Sequence, residues 1–249
     1  MKRIIISMLS VLIIFSCVGC SNTNQPVEEV PEAKQEIVET DDVFIKELKN
    51  THNQIVEFWN SDMGIVEYSE TPDGESDSYI VRDKNRELLC DSSLDYLCVY
   101  DNGKNYIYTD DNVFLEVDSS LPRHTESIYN RYVTLMNWII EEPDKYEFKK
   151  VVNDDATVTY SYITTDYEYY IDKYNKTFSS LEILSVFDKA FELAITVDAE
   201  GNLTQIDWFA TNSEENIQIN IATMFTKDLA SVYKKMGNNV QKIWEYIPK

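Results

Sequence analysis

Apolar positions recur at helical spacing in three stretches of the chain, and they alternate with polar positions in the two blocks between those stretches. The first helical stretch follows Asp41 and Asp42, whose carboxylates favour the start of a helix, and it ends near Gly64. Its apolar stripe advances in steps of three and four residues, through Ile45, Leu48, His52, Ile55 and Trp59. This spacing predicts an amphipathic helix that buries one face.

The second helical stretch, residues 126–141, ends before Pro143 and carries two adjacent apolar rows, with Trp138 apart from both. The rows are Ile128, Tyr132, Leu135 and Ile139, and beside them Tyr129, Val133, Met136 and Ile140. One row is enough to dock a surface helix. The wider arc predicts a helix that covers either a deep core or an apolar cavity. The candidate cavity residues are Tyr132, Met136, Ile140 and Trp208, the last from a later strand.

The first alternating block, residues 65–117, consists of short apolar runs separated by the turn sequences TPDGES, DSSLD, DNGKN and TDDN. It predicts an antiparallel meander. The second block runs from Tyr146 to Phe225 and includes a tyrosine-rich segment, residues 156–178, which we interpret as sheet. Three further runs with a period of two, at residues 191–197, 203–210 and 217–225, predict consecutive strands joined by short turns.

A last helix is predicted from Leu229 to Met236, with a second apolar segment after Gly237. The order of elements is then helix, strands, helix, strands, helix. This order predicts an α+β fold with antiparallel strands and helices. Residues 41–249 are enough for a single domain of this kind.

The N-terminus resembles a bacterial lipoprotein signal peptide. Lys2 and Arg3 precede an apolar run of about a dozen residues, shorter than the roughly 20 that a spanning helix needs. The sequence Cys17-Val18-Gly19-Cys20 resembles a lipobox, which implies signal peptide 1–19 and a diacylated Cys20. Two alternatives remain open at this point: a lipobox that ends at Cys17, and an ordinary cleaved signal peptide.

Residues 20–40 fit the lipid-anchored interpretation. They contain five glutamates, two prolines and no aromatic residue, a composition that predicts a disordered tether rather than a packed segment. Two acyl chains anchor a protein stably. We therefore expect a protein held at the extracytoplasmic face of the cell membrane by its N-terminal lipid.

The charge balance limits the classes of partner. The chain of 249 residues has 44 acidic and 22 basic side chains and a formal net charge of −22 at pH 7. Such a surface repels phosphate backbones and anionic lipid heads, so we expect neither nucleic-acid binding nor peripheral membrane binding. The same charge favours a soluble, monomeric domain.

Cys90 and Cys98 flank the turn sequence DSSLDYL at equal distances from Leu94. Equal spacing about a turn makes them candidate cross-strand partners for a disulfide, which could persist outside the cytoplasm. The alternative is two free cysteines packed as small apolar residues. The sequence does not decide between the two.

Recognisable catalytic motifs are missing from the sequence. The two histidines are His52, in the apolar stripe of the first helix, and His124, beside a helix start. The chain contains no Gly-x-Ser-x-Gly, no His-Glu-x-x-His and no phosphate-binding glycine loop. The acidic sequences DAEGN and DDNVFLEVD do not follow a calcium-loop pattern. We therefore expect a non-enzymatic protein without cofactor or metal.

The segment VYDNGKNYIYTDDNVFLEV, residues 99–117, together with the order of elements, resembles the lipoprotein-carrier (LolA) and mycobacterial glycolipid-binding lipoprotein superfamily. In that superfamily a curved antiparallel sheet forms an unclosed half-barrel, helices cover its concave side, and acyl chains lie in the gap. The resemblance implies a half-barrel over residues 43–225 and an apolar or lipid-like ligand between sheet and helices. The alternative function is a protein-interaction or envelope-assembly module without a small ligand.

Overall fold

A computed structural model describes nine ranges of the chain. These ranges are 41–71, 74–83, 85–92, 96–109, 114–117, 124–178, 190–211, 218–237 and 240–245. The predicted signal peptide, the tether, Cys17 and Cys20 lie outside the described residues. The described part is an α+β fold with one open antiparallel sheet, which confirms the predicted fold class.

The first block of the chain forms six strands, as its alternating pattern predicts. They are β1 (Met63–Thr71), β2 (Gly74–Asp83), β3 (Arg86–Asp91), β4 (Tyr96–Asp101), β5 (Lys104–Thr109) and β6 (Phe114–Val117). Each strand pairs with the next, so the block is a meander. The turn between β4 and β5 places Asn102 and Gly103 at φ 46° and 88°, a conformation suited to Asn-Gly in a tight hairpin.

The second block supplies five strands to the same sheet. They are β7 (Tyr146–Val152), β8 (Val158–Thr164), β9 (Ala190–Val197), β10 (Leu203–Thr211) and β11 (Gln218–Thr226). The three period-two runs near the end of the chain are confirmed as β9, β10 and β11. The two blocks join because β1 pairs with β11, with Ile65 opposite Phe225. The sheet order is β6-β5-β4-β3-β2-β1-β11-β10-β9-β8-β7, with β6 and β7 at its edges.

Four α-helices occur in the described residues: α1 (Asp41–Trp59), α2 (His124–Glu141), α3 (Tyr167–Phe178) and α4 (Leu229–Met236). A 3₁₀ turn, Pro143–Lys145, follows α2, and a 3₁₀ segment, Val240–Glu245, follows α4. Helices α1, α2 and α3 contribute to one hydrophobic cluster with residues on one sheet face. Helix α4 and the final 3₁₀ segment contribute to a second cluster, on the opposite face.

The period of two along each strand decides which cluster a residue joins. On β2, Ile80 packs in the cluster of α1–α3 while its neighbour Val81 packs in the cluster of α4. On β3, Leu89 packs in the cluster of α1–α3 and Leu88 in the cluster of α4. Strands in this half of the sheet are therefore buried on both faces, whereas an alternating strand is usually solvated on one.

The wide apolar arc of α2 packs against the sheet and two other helices. The row of Ile128, Tyr132, Leu135 and Ile139 is fully buried. On one flank Tyr129 stacks on Trp59 of α1, with ring centroids 4.5 Å apart. On the other flank Trp138 contacts the rings of Tyr170, Tyr174 and Phe178 of α3. The surplus apolar surface thus covers neighbouring helices as well as the core.

The prediction of sheet for the whole tyrosine-rich segment is wrong. Strand β8 ends at Thr164 and α3 begins at Tyr167. The Asp166 carboxylate accepts a hydrogen bond from the backbone N–H of Tyr169 at 3.2 Å and so caps the helix. Tyr170, Tyr174 and Phe178, spaced by four residues, then face the interior on one side of the helix.

Candidate functional site

A small cavity lies beside α2 and α3 on the face of the sheet that α1–α3 cover. Its volume is about 10 Å³, which is room for about one water molecule. Its walls come from α2, α3 and three strands: Leu135, Ile139, Tyr146, Tyr162, Tyr170, Phe191, Glu192 and Leu193. Half of these residues are aromatic, and one, Glu192, is charged.

Helix α3 covers this region through stacked rings. The ring of Tyr170 stacks on Phe191 of β9 at a centroid distance of 4.4 Å, and that of Tyr174 stacks on Trp208 of β10 at 5.8 Å. The indole N–H of Trp208 donates to the Tyr170 hydroxyl at 3.3 Å, beyond the usual N–H···O range. Ring contacts rather than short hydrogen bonds therefore hold this side of α3 on the sheet.

The outer side of α3 is tied to the end of α2 by Glu142. This carboxylate accepts hydrogen bonds from the Tyr169 hydroxyl at 2.8 Å and from the Lys173 ammonium at 2.7 Å. The hydrogen bond from Lys173 is the main reason that the pKa of Glu142 lies below its usual range. Because these side chains are partly exposed to solvent, which screens their charges, the ion pair adds little to stability.

Two tyrosines of the cavity wall are deeply placed. Burial raises the pKa of both Tyr146 and Tyr162 well above the usual value for tyrosine. The hydroxyl of Tyr162 donates to the backbone carbonyl of Phe44 in α1 at 2.8 Å. Both side chains are therefore neutral phenols at physiological pH and offer an apolar ring with one polar end.

A buried ion pair joins α2 to the centre of the sheet. The Arg131 guanidinium donates from Nη2 to Glu67 Oε2 of β1 at 2.7 Å. The same carboxylate oxygen accepts the Thr223 hydroxyl of β11 at 2.9 Å, and the Tyr132 and Thr223 hydroxyls lie 2.6 Å apart. Burial raises the pKa of Tyr132 to about 12. The periodicity of α2 placed Tyr132 on the apolar arc of the helix but gave no sign of a charged pair beneath it.

A second buried carboxylate caps the same helix. Glu87 of β3 accepts hydrogen bonds from the backbone N–H and the hydroxyl of Thr125, in the first turn of α2. A carboxylate at a helix N-terminus satisfies free N–H groups and interacts favourably with the helix dipole. Two acids of the sheet, Glu67 and Glu87, thus fix the rotation and axial position of α2.

The four candidate cavity residues do not line the cavity. Tyr132, Met136 and Trp208 are buried in the main core, and Ile140 packs against that core while partly exposed. The cavity wall takes Leu135 and Ile139 from the first apolar row of α2 instead of Met136 and Ile140 from the second. The missed wall residue Tyr170 had a sequence signal, since Asp166 followed by tyrosines four residues apart is a capped helical pattern.

Cys90 and Cys98 are free thiols in the structure. The β3–β4 register sets Cys90 opposite Leu97 and Cys98 opposite Leu89, one residue away from a direct pairing. The two side chains therefore point to opposite faces of the sheet, Cys98 toward the cluster of α1–α3 and Cys90 toward that of α4. Burial raises the pKa of both thiols.

The two histidines and the acidic sequence DAEGN, the remaining candidates, lie in helices and in a turn. His52 is half-buried on α1, and α2 begins at His124. In DAEGN, the Asp198 carboxylate accepts hydrogen bonds from the backbone N–H groups of Glu200 and Asn202. Within the described ranges there is no cluster of three or more His, Cys, Asp or Glu suited to a metal ion. No helix in these ranges is long and apolar enough to cross a membrane.

Comparison with known proteins yields distant structural likenesses. No family model matches the sequence, and no curated protein matches it. A domain assigned as an outer membrane lipoprotein-sorting protein from Vibrio parahaemolyticus is 8% identical, with 79% of this chain and 98% of that one covered and a TM-score of 0.23. A DUF1329 family protein from Desulfovibrio piger is 10% identical, with coverages of 73% and 92% and a TM-score of 0.21. Likenesses of this degree carry no information on function.

Proposed function

We propose that this protein is a non-enzymatic lipoprotein, anchored through Cys20 at the extracytoplasmic face of the membrane, that binds an apolar or lipid-like ligand between sheet and helices. The observation that carries the proposal is the cavity lined by aromatic side chains beside α3. Deep apolar pockets with a few polar groups are the usual form of sites for small apolar molecules.

On this proposal, the described conformation corresponds to the closed form of the site. A cavity of about 10 Å³ cannot hold an acyl chain, so binding requires α3 to move away from β9 and β10. Each ring stack that holds α3 contributes only about 0.5–1.5 kcal/mol beyond its buried area. Ligand entry can replace the contacts of Tyr170 and Tyr174 with contacts to the ligand, which lowers the net cost of opening.

The experiment combines native mass spectrometry of protein purified without detergent with titration of an environment-sensitive apolar dye. Co-purifying acyl species and saturable dye binding are expected. Tyr170→Ala removes a cavity wall and a stack on Phe191, so it should raise dye binding severalfold. Tyr106→Ala is the matched control, because Tyr106 is a buried tyrosine on the opposite face of the sheet.

A bare mass, together with no saturable dye binding by the parent protein and by Tyr170→Ala, would overturn ligand binding. Membrane attachment is tested separately: Cys20→Ala should abolish labelling by a fatty-acid probe, whereas Cys17→Ala should leave labelling intact.

One observation favours the second candidate, a protein-interaction module. The edge strand β7 exposes Val151 and Val152, 41% and 49% accessible, beside Lys149 and Lys150. An edge strand can pair with an extended segment of another protein, and lysines there favour an acidic segment. Such a partner would protect the outward-facing amides of β7 from hydrogen exchange.

A further inference from the structure

Arg131 is a charged side chain of α2, one helical turn before Leu135 of the cavity wall. Its side chain is 18% exposed, and its Nη2 donates to Glu67. Its Nε is buried and has no hydrogen-bond partner among the described residues. A buried donor without a partner is destabilising, and more so when the group is charged, so an added acceptor at this N–H would be favourable.

Glu67, the other member of the ion pair, has hydrogen-bond partners, whereas Nε of Arg131 has none among the described residues. Oε2 of Glu67 accepts from Arg131 and from Thr223, and the Thr223 hydroxyl lies 2.6 Å from that of Tyr132. The carboxylate is thus well supplied with donors while one edge of the guanidinium is not. A further acceptor at Nε would complete the contacts of Arg131 without taking Glu67 away from Thr223.

Arg131 and the cavity lie close together. Arg131 precedes Leu135 of the cavity wall by one helical turn, so the two residues are neighbours on the surface of α2. Burial raises the pKa of Tyr170 and Tyr174, and the positive charge of Arg131 partly opposes that rise. An extended ligand under α3 can therefore reach the guanidinium with one end while the other lies in the cavity.

We propose that Arg131 binds the oxyanion head, a carboxylate or a phosphate, of an amphiphile whose apolar chain occupies the cavity. This inference rests on the proposed ligand-binding function and narrows its ligand class. A guanidinium suits the role because its planar fork donates parallel hydrogen bonds to an oxyanion and keeps its charge when buried. Glu67 limits the affinity, since its carboxylate repels the incoming anion.

The test compares oleate with methyl oleate by calorimetric titration of the full mature chain. The parent protein should bind oleate at least about tenfold more tightly than the ester. This ratio of affinities is expected for one charge-assisted hydrogen bond. Arg131→Gln should abolish that preference. The isosteric variant Glu67→Gln should increase the preference for oleate over methyl oleate severalfold. Arg86→Gln, at a partly exposed arginine that pairs with Asp83, is the matched control and should change neither.

The outcomes separate this inference from the proposed function. Failure of both probes to bind the parent protein and Glu67→Gln overturns ligand binding itself. Equal affinity for both probes, or an oleate preference that Glu67→Gln does not increase, overturns the role of Arg131 and leaves apolar binding intact. Acetate and inorganic phosphate test binding of the oxyanion head without an apolar chain. If either bound as tightly as oleate, the ligand would not need to be an amphiphile, which would contradict the proposal. If Arg131→Gln does not fold, Glu67→Gln decides by itself.

Discussion

The ring of Tyr170 in α3 lies on the ring of Phe191 in β9, with centroids 4.4 Å apart and planes inclined by 27°. Both side chains line the cavity, and both are almost completely buried. This stack therefore joins the covering helix to the sheet at the point where a ligand would enter. On the proposed function, the energy of this stack opposes the movement of α3 away from the sheet.

We expect Phe191→Ala to lower the free energy of unfolding by about 3–5 kcal/mol, because it removes a buried ring and leaves a void. Phe191→Leu keeps most of the volume but loses the stack, so it should cost less than the alanine variant and still promote dye binding. Urea denaturation followed by tryptophan fluorescence measures the free energy of unfolding of both variants, and dye titration measures their binding. Equal dye binding by the parent protein and Phe191→Leu would argue against α3 as the moving element.

Gly64 lets α4 approach the sheet. A Cβ atom at this position would lie 2.6 Å from Cγ2 of Val232, closer than nonbonded carbon atoms come. Gly64→Ala should therefore destabilise the protein by about 1–3 kcal/mol through overpacking. The double variant Gly64→Ala/Val232→Ala should lose less stability than the sum of the two single variants. Simple additivity in this double-mutant cycle would show that the two positions do not contact each other.

Asp207 gives the stability of the protein a pH dependence of known sign. Burial is the main cause that raises the pKa of its carboxyl from 3.8 to about 6, with nearby Glu192 acting in the same direction. The folded state therefore binds more protons than the unfolded state between these pKa values, so this group's contribution falls as pH rises from about 4 to 6.

Asp207→Asn should accordingly stabilise the protein at pH 8, by on the order of 1 kcal/mol after allowance for solvent screening, and have little effect at pH 4. Thermal unfolding at the two pH values measures the difference. Gln205 donates to both oxygens of Asp207, so Gln205→Ala is the control that separates the lost hydrogen bonds from the lost charge. A larger stabilisation at pH 4 than at pH 8 would contradict the assigned sign.

The free thiols of Cys90 and Cys98 predict a simple chemical result. Denaturation without reductant should expose two alkylatable cysteines by mass spectrometry. Alkylation of the native protein should be slow, because the raised pKa of both half-buried thiols keeps them protonated. Finding no alkylatable thiol would mean a disulfide, and the β3–β4 hairpin would then have to slip by one residue.

The local periodicity of apolar residues was sufficient to predict most helices and strands of the fold. The steps of three and four residues identified α2, and strict alternation identified β9, β10 and β11, because each pattern reflects burial of one face. The same logic failed at α3. Tyrosines suit both strands and helix faces, so the rings of Phe191 and Trp208 beneath the segment outweighed its weak preference for sheet.

The sequence by itself determined the fold class, the order of the two strand blocks and the apolar face of α2, since these follow from the period of burial along the chain. The tertiary structure decided the pairing of β1 with β11, the hairpin register that separates Cys90 from Cys98, and the position of Arg131 over Glu67. Each of these is a contact between residues that local periodicity does not connect. Which surfaces meet depends on the mutual packing of all elements, and that information is not present in any single window of sequence.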